Sequence, residues 1–305
     1  MNAADAGSGE TLPASDVWQS MLAPHELWLD RREGGLRAVL ADLALGEVRA
    51  PLVRLARASM SRLEMCGAVL NGAELAGVEL EECDLSMANM SSADLTEGLW
   101  SKVKLNDASL SAANLCEIQM EECLLHNVKA PRSRWQEARL SRCDFREAAL
   151  PQAAFQHANV QEANFSGADL EGVLFYRATL RFCRFRKARA SGANFSSAVA
   201  TQCDFSDASL ERARFFQADL RGSSLAGCSL AEADFREARL DGCSLAGCRL
   251  DGARFGAASL VAADLRGANL RLAHQLQVRQ LLQARTDNTT ILPGGAIGPV
   301  RMSGS

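Results

Sequence analysis

From Leu55 to Leu270 every fifth residue is apolar, through Leu75, Leu95, Leu115, Phe145, Phe165, Phe185, Phe205, Leu225, Phe235 and Leu250, without one slip of register. Two positions before each stands a small residue, such as Ala68, Ala73, Cys83, Ala93, Ala163, Ala213 or Ala268, and the residue between is usually polar, as in Ala168-Asp169-Leu170. A period of five is neither the 3.6 of a helix nor the 2 of a strand. In extended chain the small and the large residue face the same side, so the remaining residues of each unit must turn a corner. The pattern predicts a coil with short flat sides, and 44 in-phase units make it a repeat array.

The cysteines count the sides. Of ten, eight occupy the small inward position, and Cys83, Cys123, Cys143, Cys183, Cys203 and Cys243 are separated by multiples of twenty, which is four units of five. They form a column on one wall of a square coil. Ten phenylalanines occupy the large inward position, all at odd multiples of five, which in a four-sided coil places them on two opposite walls facing leucines on the other two.

These units resemble the repeat of the pentapeptide-repeat proteins: Ala, Asp or Asn, Leu or Phe, a small or polar residue, then any residue. The resemblance covers roughly 70% of the chain. It implies an all-β solenoid, a right-handed quadrilateral β-helix of about 11 coils with short helical caps at both ends. At a rise of about 4.8 Å per coil the rod would be on the order of 50 Å long.

The flanks depart from the repeat. Residues 1 to 22 read as a flexible arm, with an Ala-, Gly- and Ser-rich start. Residues 23 to 52 read as a helical N-terminal cap of one or two short helices, carrying Trp28, Leu36, Val39, Leu40, Leu43 and Leu45 and broken at Gly34-Gly35. Such a cap would cover the unpaired edge of the first coil. The β-helix is expected over 53 to 270. From 271 to 305, Leu272, Leu276, Leu281 and Leu282 suggest a capping helix of about 14 residues, followed by an extended tail.

The composition changes this picture little. With 33 basic and 37 acidic residues the formal charge is −4, and no run approaches the roughly 18 apolar residues that cross a bilayer. The N-terminus lacks the basic and apolar stretches of a signal peptide, so a cytoplasmic location without membrane contact is expected. A thiol at the inward site serves as a small hydrophobe, consistent with a reducing compartment, and no CxxC pair points to zinc. His25, His126, His157 and His274 lie far apart along a rod, and no GxSxG, HExxH or P-loop segment occurs. The expectation is no enzyme, no cofactor and no metal.

Information must then sit on the outward positions. Arg177, Arg181, Arg184, Arg186, Lys187 and Arg189 fall within one turn, with Tyr176 and Phe182. Phe216 shares the outward column of Tyr176 two turns on, about 10 Å away. Exposed Tyr, Phe and Arg together favour an interface centre, against the blander reading of an arginine-rich surface. A second zone gathers Glu79, Glu81, Glu82, Glu117, Glu121, Glu122 and Glu162, interrupted by Lys102.

Inside the coil, Trp100 and Trp135 stand where Leu or Phe is expected, whereas Ala130, Ala190 and Ala200 underfill the same kind of site. Each indole either meets a local void or turns outward. A bulge is expected between Leu124 and Trp135.

The resemblance brings two kinds of function: protection of DNA gyrase by imitating duplex DNA, and immunity against a secreted toxin. Full-length imitation requires an acidic rod, and this chain is nearly balanced. The reading is therefore a rod that sequesters a protein partner, an immunity protein for an antibacterial toxin, with a nuclease favoured because its basic surface would meet the acidic zone. Topoisomerase protection and a structural or effector scaffold are the alternatives. Direct nucleic-acid binding is not expected, and homodimerisation stays open.

Overall fold

In the computed structural model, which describes residues 13–46 and 48–300, the pentad register becomes a four-sided parallel coil. The first wall carries nine three-residue strands: β1 (Val39–Ala41), β2 (Ser59–Ser61), β3 (Glu79–Glu81), β4 (Leu99–Ser101), β5 (Gln119–Glu121), β6 (Arg139–Ser141), β7 (Asn159–Gln161), β8 (Thr179–Arg181) and β9 (Val199–Thr201). They pair in chain order, all parallel, each twenty residues from the last, as in Leu40 with Met60. Single bridges continue this wall through Asp219 and Arg239 to Ser259. The other three walls are ladders of bridges with the same step, beginning Ala44 to Glu64, Arg49 to Val69 and Arg54 to Glu74. This is the right-handed quadrilateral β-helix expected from the resemblance.

Small and large inward residues together fill the interior, and nearly all are less than 6% exposed. Phenylalanine forms two stacks on opposite walls. In one, Phe145, Phe165, Phe185 and Phe205 lie 4.6 to 5.0 Å apart between centroids. In the other, Trp135 continues through Phe155, Phe175, Phe195, Phe215, Phe235 and Phe255 at 5.0 to 5.3 Å. Rings of opposite stacks meet edge to face, as do Phe165 and Phe175 at 6.1 Å, the arrangement their quadrupoles favour.

Both tryptophans point inward. Gly98 makes room for Trp100, since a Cβ there would lie 2.8 Å from the indole nitrogen. Trp135 donates its N–H to Ser133 Oγ at 2.7 Å, and that hydroxyl donates to Ala130 O at 2.7 Å. The expected bulge is absent from this stretch: bridges Leu124 to Asp144, Lys129 to Ala149 and Arg134 to Ala154 keep the register. Ala130 and Ser133 supply the volume and the hydrogen bond that a distortion would otherwise have had to supply.

Each corner places its second residue in the left-handed region, with φ of 52° at Arg62 and 73° at Gly67. The bond from Ala58 N to Leu55 O, 3.0 Å, closes one such corner as a β-turn with the left-handed residue third, the geometry of type II. Pro131 and Pro151 take the second position of such turns, where no N–H is needed.

The cysteine column has a second role besides packing. Cys83, Cys143 and Cys183 each direct Sγ to the carbonyl 23 residues earlier, at 3.5 to 3.6 Å. Ser223, in the same column, makes this contact with Ala200 O at 2.7 Å. Burial pushes the Cys243 and Cys248 thiols up to about 12, and the hydrogen bond with Cys123, together with burial, pushes Cys143 well up. Thiolate is the reactive form. Access decides the order: half-buried Cys66 and Cys116 should alkylate first under native conditions, and the eight buried inward thiols only on unfolding, including Cys123 and Cys183, whose pKa values are lowered by contact with Cys143 and Cys203. Mass-spectrometric counting of labelled sites checks this, and rapid native labelling of Cys143 would overturn the register.

The ends differ from expectation. A single helix, α1 (Ala14–Leu29), begins inside the segment read as an arm, whose first twelve residues lie outside the described residues. The apolar stretch from Leu36 to Leu45 is the first coil rather than a second helix, because Ala38 and Leu40 already occupy the small and large inward positions. Trp18 of α1, 1% exposed, plugs the coil's open end above Leu55 and Met60. His25, fully buried, accepts from Ala38 N at Nδ1 (2.9 Å) and donates from Nε2 to Ala56 O (3.1 Å). At the other end α2 (Val278–Gln283) is six residues long, not about 14, because coil pairing persists to His274. Buried Gln280 donates to Phe255 O and Ala258 O at 2.9 and 2.8 Å, and Thr290 Oγ1 to Leu265 O at 3.0 Å. Of these carbonyls, Ala258 O is the one a further coil would have taken, as Ser259 N takes Ala238 O, while Phe255 O and Leu265 O already accept from Ala258 N and Ala268 N within their turns. No described helix is long and apolar enough to cross a membrane.

Candidate interaction surface

The outward direction rotates by a quarter turn with every five residues, so neighbours in sequence need not share a face. Arg177 N donates to Ser196 O at 3.1 Å and Ser197 N to Phe216 O at 2.8 Å, which sets Tyr176, Ser196 and Phe216 in one column at the corner between the fourth and first walls. The Arg177 guanidinium lies over the Tyr176 ring at 5.0 Å, and that of Arg236 over Phe216 at 5.7 Å. His157 meets Tyr176 edge-on at 6.1 Å. Sequence reasoning overlooked Arg236 and His157, although both belong to the next turn of this corner.

The remaining members of the proposed centre do not join them. Arg181 stands in β8 on the first wall, and Phe182 at the corner beyond it, 51% exposed with φ of 57°. Arg184 is on the second wall, Arg186 and Lys187 at the next corner, and Arg189 on the third wall. The basic residues form a belt around the rod. Two are paired, Arg186 with Asp204 at 3.6 Å and Arg189 with Asp169 at 2.8 Å. Part of the arginine excess is local structure: Arg146, Arg221, Arg236 and Arg266 each clasp the aspartate two residues earlier at 2.6 to 2.7 Å. For Asp234 the hydrogen bond from Arg236 is the largest influence, and it holds the carboxyl below its usual range.

Glu79, Glu81 and Glu121 line a shallow groove of about 510 Å³ on the first wall, with Ser61, Ser101 and Ser141 between the carboxylates. Glu82 and Glu122 stand at its corner. Most of these acids are paired: Glu79 with Arg37 at 2.9 Å, Glu82 with Lys102 at 3.4 Å, Glu122 with Arg142 at 3.0 Å, and Glu121 also with Arg142. The corner column reads Asp42, Arg62, Glu82, Lys102, Glu122, Arg142, Glu162 and then Phe182, one charge alternating with its opposite at each turn. An acidic wall in sequence is therefore a compensated column in space, and such exposed pairs contribute only about 0 to 1 kcal/mol each. Glu117 lies one corner away.

His126, His157 and His274 stand on separate coils and His25 on the buried face of α1. Among the described residues no three His, Cys, Asp or Glu side chains gather as metal ligands.

Two family models match the coil. One, described as a pentapeptide repeat region, matches residues 138–215 and 158–235. The other, pentapeptide repeats in eight copies, matches 52–86, 88–127 and 238–274. Together they span most of the chain. Among solved structures, HetL, a pentapeptide repeat protein involved in heterocyst differentiation regulation in the cyanobacterium Nostoc, is 22% identical over 94% of this chain and 100% of its own, with a TM-score of 0.30. QnrB1, a plasmid-mediated fluoroquinolone resistance protein, is 18% identical over 82% and 94%, with a TM-score of 0.24. A pentapeptide repeat protein of the Arabidopsis thaliana thylakoid lumen is 27% identical over 43% and 81%, with a TM-score of 0.22. No curated protein matches the chain.

Proposed function

This chain belongs to the pentapeptide repeat family, and from its surface we propose a non-catalytic rod that binds and sequesters one protein partner. Phe182 carries the reading. It is a large aromatic, half exposed and held in the left-handed region, at the point where a column of alternating charge breaks off. A bulky residue there costs both exposure and backbone strain, and occupancy by a partner offsets the first. Tyr176 and Phe216, at the opposite edge of the first wall, make that wall the face engaged, with Arg177 at its edge and Arg181 on it.

The most concrete form is an immunity protein acting in a reducing cytoplasm on an antibacterial toxin. The compensated charge column weighs against imitation of DNA and hence against gyrase protection, and of the acidic zone it leaves Glu81, Glu117 and Glu162 without an ion pair among the described residues. It also removes the reason to favour a nuclease toxin.

Two variants test the reading against a partner captured from the native host. Changing Tyr176, Phe182 and Phe216 together to Ser should weaken binding tenfold or more, about 1.4 kcal/mol. Changing Glu79, Glu81, Glu82, Glu121 and Glu122 to Lys should weaken it less, and more at low salt than at high salt. Normal binding by both would remove the surface reading. Inhibition of gyrase supercoiling at micromolar protein would replace immunity by topoisomerase protection.

A further inference from the structure

Inside the coil, rings one turn apart stack at 4.6 to 5.3 Å. Outside, Tyr176 and Phe216 occupy one corner column two turns apart, and the position between them is Ser196. The column carries an aromatic residue at its first and third positions and a small hydroxyl between them. Two turns at about 4.8 Å give about 10 Å between the outer residues, so one ring at the level of Ser196 would reproduce the one-turn spacing of the interior stacks. Arg177 reaches over one ring and Arg236 over the other, and Arg214 lies on the adjoining fourth wall. Among the described residues Arg177 and Arg214 have no carboxylate partner within salt-bridge distance.

We infer that the notch over Ser196 receives one aromatic side chain of a protein partner, flanked in that partner by carboxylates, so that Tyr176, the inserted ring and Phe216 complete an external stack. The inference rests on the protein-binding reading above and names the chemistry of its contact. The inserted ring supplies apolar area that Ser196 withholds, and the flanking carboxylates meet Arg177 and Arg214. A nucleobase with its phosphate has related chemistry; the protein-binding reading favours a side chain, and the oligothymidylate arm of the test separates the two.

Tyr176 is the chain's one tyrosine, so a tyrosine label reports this site alone. Full-length protein carrying 3-fluorotyrosine would be titrated, by fluorine NMR, with the peptides Asp-Glu-Phe-Glu-Asp and Asp-Glu-Leu-Glu-Asp and with oligothymidylate. The Phe peptide should move the resonance saturably and bind at least about fivefold more tightly than the Leu peptide. Ser196→Tyr, labelled identically, adds a second signal; its ring fills the gap, and the Tyr176 signal should no longer respond to either peptide while the fold is retained. Equal response to both peptides, no response at millimolar Phe peptide, an unchanged response in Ser196→Tyr, or a stronger response to oligothymidylate would each overturn the inference. None of these outcomes touches the partner-binding losses set for the aromatic and charge variants, so the two readings fail separately.

Discussion

Replacing Phe165 or Phe185 by Ala should cost about 3 to 5 kcal/mol, whereas Phe182→Ala, three positions from Phe185, should lie within about 0.5 kcal/mol of wild type. Phe165 stacks on Phe145 and Phe185 at 4.7 and 5.0 Å and meets Phe155 and Phe175 edge to face, with no exposure at all. The coil cannot close on the gap, because each wall is a hydrogen-bonded ladder whose spacing is fixed by its neighbours above and below. Phe182 loses no core contact, and Ala tolerates its left-handed backbone at least as well. Solenoids open by segments rather than all at once. Hydrogen exchange of the amides flanking each site, alongside a denaturant melt, is therefore the appropriate measurement. A loss under 1 kcal/mol at Phe165 would place that ring outside the core.

Much of this architecture was legible because a five-residue period admits few solutions. The phase of Leu55 to Leu270, the cysteines at multiples of twenty and the phenylalanines on odd multiples of five fix the number of walls and their contents before any coordinate. The corners were legible too, but went unread. From Asp42 to Gly267 the position two after each large inward residue holds no Val, Ile, Thr or Pro, as required where φ is positive and β-branching or a proline ring is excluded. The first coil was missed for a related reason. Ala38 and Leu40, then Leu43 and Leu45, are already in phase, yet their spacing also fits a helical face, and short apolar runs do not separate the two.

The site was less legible, since it depends on which residues lie twenty apart rather than next to one another. Glutamates clustered in sequence proved to be rungs of a ladder with Lys102 and Arg142 between them. The arginines of one turn were dispersed by the coil's rotation, while Arg236 and Phe216, twenty apart, were brought together. Gln280 and Thr290 could not be identified as end caps, because the carbonyls they satisfy exist only once the last coil is formed.

Trp18→Ala should destabilise the N-terminal end by about 3 to 5 kcal/mol, the usual range for truncating a buried indole, and should do so locally. Trp18 closes an apolar shaft lined by Leu55, Met60, Met65 and Leu70. Without it α1 loses its buried anchor, and β1 becomes an unpaired parallel edge open to a second chain. Rapid exchange confined to residues 38–46 and 58–65, with concentration-dependent association, is the expected result; exchange unchanged there would mean that α1 is not the cap. Acid should imitate this loss through His25. Burial, the largest influence, lowers its pKa from the ordinary 6.5, and Arg37 and Arg54 act in the same direction, opposed by the bond to Ala56 O and by Glu26. A histidine neutral in the fold but protonated when unfolded contributes its full stability above about pH 6.5, and that contribution falls away as pH drops from 6.5 through the lowered value. Protonation at Nδ1 also removes the acceptor of Ala38 N–H, one of the bonds that tie α1 to the first coil. His25→Gln should abolish this acid step at the cost of weaker capping at neutral pH, so exchange of β1 followed from pH 7.5 to 5 in both proteins separates the histidine's titration from general acid unfolding. An identical pH dependence in the two would show that the latch lies elsewhere.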